Sequence, residues 1–121
     1  MLRFEMATED IIDSLNGNDR RFDLGTTSVF YSNDKVIGHA DYFIIENILF
    51  LKNIETITLR KGFGKSIIKY LFDSLKIEKI HGYFINETSE YFWKSLNATF
   101  EQSEIKGKFI LERENFNKWV V

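Results

Sequence analysis

Three apolar runs, Thr27–Ser32, Val36–Ile45 and Ile48–Thr56, are rich in β-branched and aromatic residues and are separated by the polar pairs Asn33-Asp34 and Glu46-Asn47. The pattern predicts a three-strand meander with tight turns. After Thr56 the period changes. Ile67, Ile68, Leu71, Phe72 and Leu75 fall at i, i+1, i+4, i+5 and i+8, an apolar stripe on a helix running from Gly64 to about Lys76 whose other face is charged. Lys79–Ile85 reads as the next strand, and because it follows a strand–helix unit it is expected to lie parallel to the strand before it. Thr88–Leu96 is a second helix, capped by Thr88 or Asn86 and closed at Asn97, and Thr99–Glu104 and Lys108–Arg113 form a last hairpin about Lys106-Gly107. At the start, Met1–Phe4 predicts a short strand and Thr8–Leu15 a short helix with Thr8 as N-cap, stopped at Gly17-Asn18. The expected architecture is α/β in the α+β sense, a mixed antiparallel and parallel sheet flanked by helices, with residues 1–121 forming one domain.

Composition narrows the function classes. The 12 Phe point to a core with many aromatic contacts, and the 44% apolar and 28% charged residues are those of an ordinary globular domain. A net charge of -2 argues against general nucleic-acid binding and leaves only a local basic patch around Arg60 to Lys69. With no Cys, the chain has no disulfide, thiolate nucleophile or thiolate metal site. No apolar stretch approaches a signal segment or a membrane span, so the expected location is cytoplasmic, with no membrane partner.

One segment carries recognisable chemistry. Arg60-Lys61-Gly62-Phe63-Gly64-Lys65-Ser66 links the last strand of the meander to the amphipathic helix. Two glycines one residue apart allow a sharp turn and close approach of a ligand, and the first N–H groups of the following helix favour an anion there. Arg60, Lys61 and Lys65 add positive charge, although Lys65 and Lys69, with Asp73, also fit a plain solvated helix face. Gly64-Lys65-Ser66 has the closing letters of a P-loop, but that motif requires a glycine where this chain has Leu59. A dinucleotide fingerprint fails for want of a third glycine and an early strand–loop–helix position.

Arg-x-Gly-x-Gly between a central strand and a helix, after a three-strand meander, resembles the acetyl-CoA loop of the GNAT superfamily of N-acetyltransferases. Asn33-Asp34-Lys35-Val36-Ile37-Gly38-His39-Ala40 is similar to the turn and Val-Ile-Gly strand of that family's first hairpin. Asn86, Ser89, Phe92-Trp93 and Lys94-Ser95-Leu96-Asn97-Ala98-Thr99-Phe100 are similar to its Asn, small residue, aromatic pair and Lys-x-Leu-Gly-like ending. The resemblance covers roughly residues 27 to 113, with two departures. Leu59 stands where the family's longer loop motif begins with Gln or Arg, and Trp93 stands where many members carry a tyrosine general acid.

The resemblance implies an acyltransferase that passes an acetyl group from acetyl-CoA, as cosubstrate, to a primary amine by direct attack on the thioester. The acceptor is a small molecule or a protein, and the protein a monomer or homodimer. Acetyl-CoA would lie between the strand ending near Thr56 and the parallel strand ending near Asn86, touching Ile54, Thr56, Asn86 and Trp93, with backbone donors from Arg60, Lys61, Gly62, Phe63, Gly64 and Lys65 on its pyrophosphate. A backbone N–H around Glu55 or Thr56 would face the thioester oxygen. Glu55 is the first candidate for the base that takes the amine proton, ahead of Glu46 and His39, and Tyr91 is the hydroxyl nearest the vacant acid position. A strand Glu is equally at home as a solvated side chain, His39 as a sheet residue paired with Asp41, and Phe92, Trp93 and Leu96 as helix-to-sheet packing. The alternative is a non-catalytic module of the same fold that binds acyl-CoA or a protein partner. The apolar end, Trp119-Val120-Val121, is free to dock on the domain or on a second copy.

Overall fold

The computed structural model describes residues 2–17, 22–57, 62–83, 87–100 and 107–120, with the side chains of 87–89 and 117–120 outside that description. In chain order the elements are β1 (Leu2–Met6), α1 (Glu9–Asn16), β2 (Thr27–Ser32), β3 (Lys35–Ile45), β4 (Ile48–Thr56), α2 (Phe63–Ser74), β5 (Lys79–Tyr83), α3 (Glu87–Ser95), β6 (Thr99–Phe100), β7 (Lys108–Glu112) and α4 (Arg113–Val120). The strands form one sheet in the order β1-β2-β3-β4-β5-β7-β6, antiparallel except for β4 and β5. Among the described residues no helix is long and apolar enough to cross a membrane.

Local signals explain most of these boundaries. Thr8 caps α1 by accepting the Ile11 N–H at 3.4 Å, and Gly17 closes it by donating to the Asp13 carbonyl at 3.1 Å. Asn33 and Asp34 both have positive φ, 51° and 66°, the geometry that lets a two-residue turn follow the twist of β2 and β3. Asn97, with φ 68°, ends α3 in the left-handed region where a glycine or asparagine is at ease.

Two features lie beyond the sequence reading. β7 stands between β5 and β6 in the strand order. Phe109 and Leu111 of β7 are fully buried in the slot beside β5. The second is α4, in a stretch where the sequence reading singled out only the apolar end Trp119-Val120-Val121. Its Phe116 packs on Phe72 of α2 with ring centroids 5.2 Å apart. Arg113, at its start, donates to the carbonyls of Ile77, Phe72 and Leu75 at 2.8, 2.6 and 3.1 Å, satisfying the end of α2, whose last turn has no basic residue of its own. The hairpin loop 101–106 lies outside the described residues.

The faces of the sheet are unequally covered. α2, α3 and α4 all bury their apolar residues on one face, where Ile67, Leu71, Phe72, Trp93, Leu96 and Phe116 meet Phe30, Ala40, Leu49, Leu51, Ile80, Phe109 and Leu111. On the other face α1 contributes a small core of Ala7, Ile12, Phe22 and Val29, which reaches only β1 to β3.

Candidate functional site

β4 and β5 pair only as Ile48↔Lys79, Leu49↔Ile80 and Phe50↔His81. Both strands run on past that point, β4 to Thr56 and β5 to Tyr83, without further rungs between them. Just beyond the last rung, β4 carries a bulge against β3: Asp41 faces Asn53 and Tyr42 faces Leu51, leaving Lys52 as the extra residue. A bulge bends and twists the strand that carries it, and among the described residues no rung joins β4 to β5 beyond Phe50. The result is a wedge whose wall is a strand edge with alternate backbone donors and acceptors turned toward the gap.

The wedge opens toward the start of α2. Gly62 is the N-cap, with φ 74° and ψ 10°, and no side chain caps the helix. Its first turn has no acidic residue, so nothing there competes with an incoming anion. Ser66 closes the turn, its N–H and hydroxyl both donating to the Gly62 carbonyl at 3.0 and 2.9 Å. The two loop glycines have separate tasks. Gly62 is set by its left-handed backbone, with open space where a Cβ would go, whereas a Cβ at Gly64 would lie 2.9 Å from Cε1 of Phe92 in α3. Gly64 is therefore a packing glycine between α2 and α3 rather than a point of ligand approach alone. Gly64→Ala is expected to cost about 1 kcal/mol as the ring is displaced, with the loss recovered in a Gly64→Ala, Phe92→Leu double variant. Thermal unfolding of the two single variants and the double closes the cycle, and a melting temperature unchanged in Gly64→Ala would show that the ring does not bear on the glycine.

Gly38 performs a similar role for β4. A Cβ there would stand 2.7 Å from the Glu55 carbonyl oxygen and 2.8 Å from Cδ1 of Ile67, so only glycine lets β3, the end of β4 and α2 meet at this distance. Thr56, across from Gly38, and Glu55 are half-buried, and Ile54 packs against the larger core.

Glu55 and His39 are cross-strand partners on the face that carries α1. His39 is 6% exposed, lies edge-on to Phe22 and buries its Nδ1 without a hydrogen-bond partner. Burial lowers its pKa and the negative charge of Glu55 opposes that shift, so the imidazole is neutral at pH 7. Asp41, expected beside His39, is engaged elsewhere: it accepts the Asp23 N–H at 3.0 Å and lies 3.4 Å from the Lys52 ammonium, which also donates to Asp23 at 3.0 Å. The bulge residue is thus anchored by an ion-pair cluster, and the strong partners of Lys52 raise its pKa, the hydrogen bond it donates to Asp23 foremost.

The remaining candidates are dispersed. Glu46 sits at the β3–β4 turn with φ 57°, so the nine residues of β4 hold it about 27 Å from Thr56, beyond the reach of chemistry at the wedge. Trp93 is 3% exposed and stacks on Phe109 with centroids 3.9 Å apart, its edge against Phe92. Tyr91, two residues earlier on α3, is 77% exposed and points away from that core. Arg60, Lys61 and Asn86 lie outside the described residues. Among the described residues no cluster of His, Asp or Glu could hold a metal ion. The bulge of β4 and the packing role of Gly64 escaped the sequence reading; a trace of the first is the change from the apolar run Ile48–Leu51 to Lys52-Asn53 inside one strand.

A meander, a strand–helix–strand unit with one short parallel ladder, and an uncapped helix at the mouth of the gap together make the fold of the GNAT N-acetyltransferases. The chain superposes on the aminoglycoside acetyltransferase AAC(6')-Ib in complex with coenzyme A with a TM-score of 0.70 at 12% identity, covering 100% of each chain. It matches the ribosomal-protein-S18-alanine N-acetyltransferase of Escherichia coli with a TM-score of 0.60 at 13% identity over 91% of both chains. It also matches the N-acetyltransferase PseH of Campylobacter jejuni in complex with acetyl coenzyme A, with a TM-score of 0.58 at 19% identity over 74% of this chain and 70% of that one. No family model and no curated protein matches the sequence.

Proposed function

We propose that this protein is an acetyl-CoA-dependent N-acetyltransferase and that one domain, residues 1–121, provides both cofactor and acceptor sites. The observation that carries the proposal is the wedge between β4 and β5 placed against the uncapped start of α2, in a fold whose solved relatives hold coenzyme A or acetyl coenzyme A. The two demands of the cofactor match the two parts of the site. A pyrophosphate needs N–H groups and positive charge, which the start of α2 from Gly62 to Lys65 offers through its first N–H groups and the sequence offers through the basic side chains of Arg60, Lys61 and Lys65. The pantetheine arm is thin and carries secondary amides, which suit the unpaired edge of β4 at Ile54 and Thr56.

When bound, acetyl-CoA supplies an activated acetyl thioester; the chain's own groups do the rest. An acceptor amine with an ordinary lysine-like pKa must first lose a proton, which costs about 4 to 5 kcal/mol at pH 7. Glu55, at the end of β4, accepts that proton directly or through a water, and neutral His39 beside it shapes the carboxylate's surroundings. The neutral amine nitrogen then bonds to the thioester carbon, the carbon–sulfur bond breaks, and the further proton that the nitrogen loses on becoming an amide passes, directly or through solvent, to the leaving thiolate. Backbone N–H groups near Thr56 are positioned to steady the charge on the thioester oxygen. The acceptor class is set by the face that carries α1, where a single short helix leaves the approach broad enough for a protein or another bulky amine.

The direct test is thermal unfolding with and without acetyl-CoA. A ligand at one hundred times its dissociation constant stabilises by about 2.7 kcal/mol, an upward shift in melting temperature of roughly 10 °C for a chain of this size. Absence of a shift at millimolar acetyl-CoA would overturn the cofactor assignment. A shift without thiol release across amines, peptides and proteins would leave a binding module.

A further inference from the structure

The closed end of the wedge is built on a glycine and an aromatic stack. Gly82 is the first residue of β5 past the last rung with β4, and it is buried. A Cβ there would stand 3.3 Å from the Leu51 carbonyl oxygen of β4 and 2.7 Å from Cζ of Phe109, its cross-strand partner on β7. The room that a side chain on Gly82 would take is therefore filled by the tip of the Phe109 ring, on the side of the sheet that carries α2 and α3. That ring is held from behind. Trp93 of α3 stacks on it with centroids 3.9 Å apart at 20°, Phe92 meets the indole edge-on at 4.9 Å, and Phe92 in turn lies against Gly64 at the start of α2. Phe109 is fully buried and Trp93 nearly so, and an interior packed in this way yields little to an added methylene.

We propose that Phe109, seated over Gly82, is the end wall of an acyl slot and sets the longest acyl thioester that the protein takes. The inference rests on the acetyl-CoA reading above. A ligand whose pyrophosphate sits at the start of α2, beyond Thr56, and whose arm follows the edge of β4 has its acyl end directed toward the last rung, where β4 and β5 come together. The surface at that end is Leu51, Gly82 and the Phe109 ring, all buried and apolar, which suits a hydrocarbon chain. An alkyl chain fits until it touches the ring; a further methylene then loses about tenfold or more in affinity, because the stacked indole keeps the wall from retreating. Two residues set the position of the wall in opposite senses. Trimming the ring moves it back, and a Cβ on Gly82, hard against both Phe109 and the Leu51 carbonyl, moves it forward.

Calorimetric titration of the whole protein with free CoA and with its acetyl, butyryl, hexanoyl and octanoyl thioesters tests this by binding, independently of turnover. Affinity is expected to hold up to a limiting chain length and to fall about tenfold or more at the next member of the series. Phe109→Leu should move that break to a longer chain and Gly82→Ala to a shorter one, while the dissociation constant of free CoA stays unchanged in both. Circular dichroism and the melting temperature establish that each variant is folded; the two substitutions act independently, so misfolding of one leaves the other decisive. Equal affinity across the series in the unaltered protein, or a break that stays in place in a folded variant, would overturn the proposal while the cofactor reading stands. If no CoA species binds at all, the cofactor reading falls and this inference falls with it.

Discussion

Glu55→Gln should lower kcat/KM by about 10² to 10³ at pH 7 while leaving the acetyl-CoA-induced rise in melting temperature intact. Glutamine keeps the volume and the strand but takes no proton, so the acceptor amine must arrive already neutral. In the variant, activity should therefore climb about tenfold per pH unit until the amine's own pKa, near 10 for a lysine-like acceptor, whereas the intact enzyme levels off earlier. The readout is thiol release across that pH range over a series of acceptor concentrations, which yields kcat/KM at each pH. His39→Gln should produce a smaller loss, because His39 acts through Glu55 across the β3–β4 pair. Equal activity of Glu55→Gln and the unaltered protein at pH 7, with cofactor binding preserved, would remove Glu55 from the proposed mechanism.

Trp93→Ala should cost about 3 to 5 kcal/mol, which for a chain this long lowers the melting temperature by roughly 12 to 20 °C. The indole is stacked on Phe109, braced by Phe92 and shut off from water, so its removal leaves a cavity where α3 meets β5 and β7. Trp93→Tyr separates packing from chemistry. If the position only packs, restoring a hydroxyl there should give no gain in rate and cost about 1 to 3 kcal/mol for a polar group buried without a partner. A Trp93→Tyr protein that turned over faster at unchanged stability would place this position in the reaction.

Local chemistry explains what the sequence disclosed. The meander was legible because Asn33-Asp34 demands a turn that few other pairs accept, and α2 because five apolar residues share one stripe. The glycine loop was legible as a place, and its resemblance to an acetyl-CoA loop pointed to the fold that the superposition bears out. What escaped depends on contacts distant in sequence. The ring that forbids a side chain at Gly64 comes from Phe92, and α4 is held by Phe72 and the carbonyls that Arg113 caps, none of them within its own segment. The order β5-β7-β6 is likewise a pairing between segments that no single window contains.

The unfinished ladder between β4 and β5 also bears on how the protein behaves in concentrated solution. A strand edge left open at the outside of a sheet invites other chains to extend it, and proteins commonly blunt such edges with charge or proline. This chain has no proline at all, yet the unpaired end of β4 lies inside the sheet order, with β5 as its neighbour, rather than at the outside. Access is limited by thickness: a slender extended molecule can run along β4, while a polypeptide strand would need the full spacing of about 4.8 Å on both sides. The same opening that admits a small ligand therefore gives little foothold for the edge-to-edge growth that leads to fibrils.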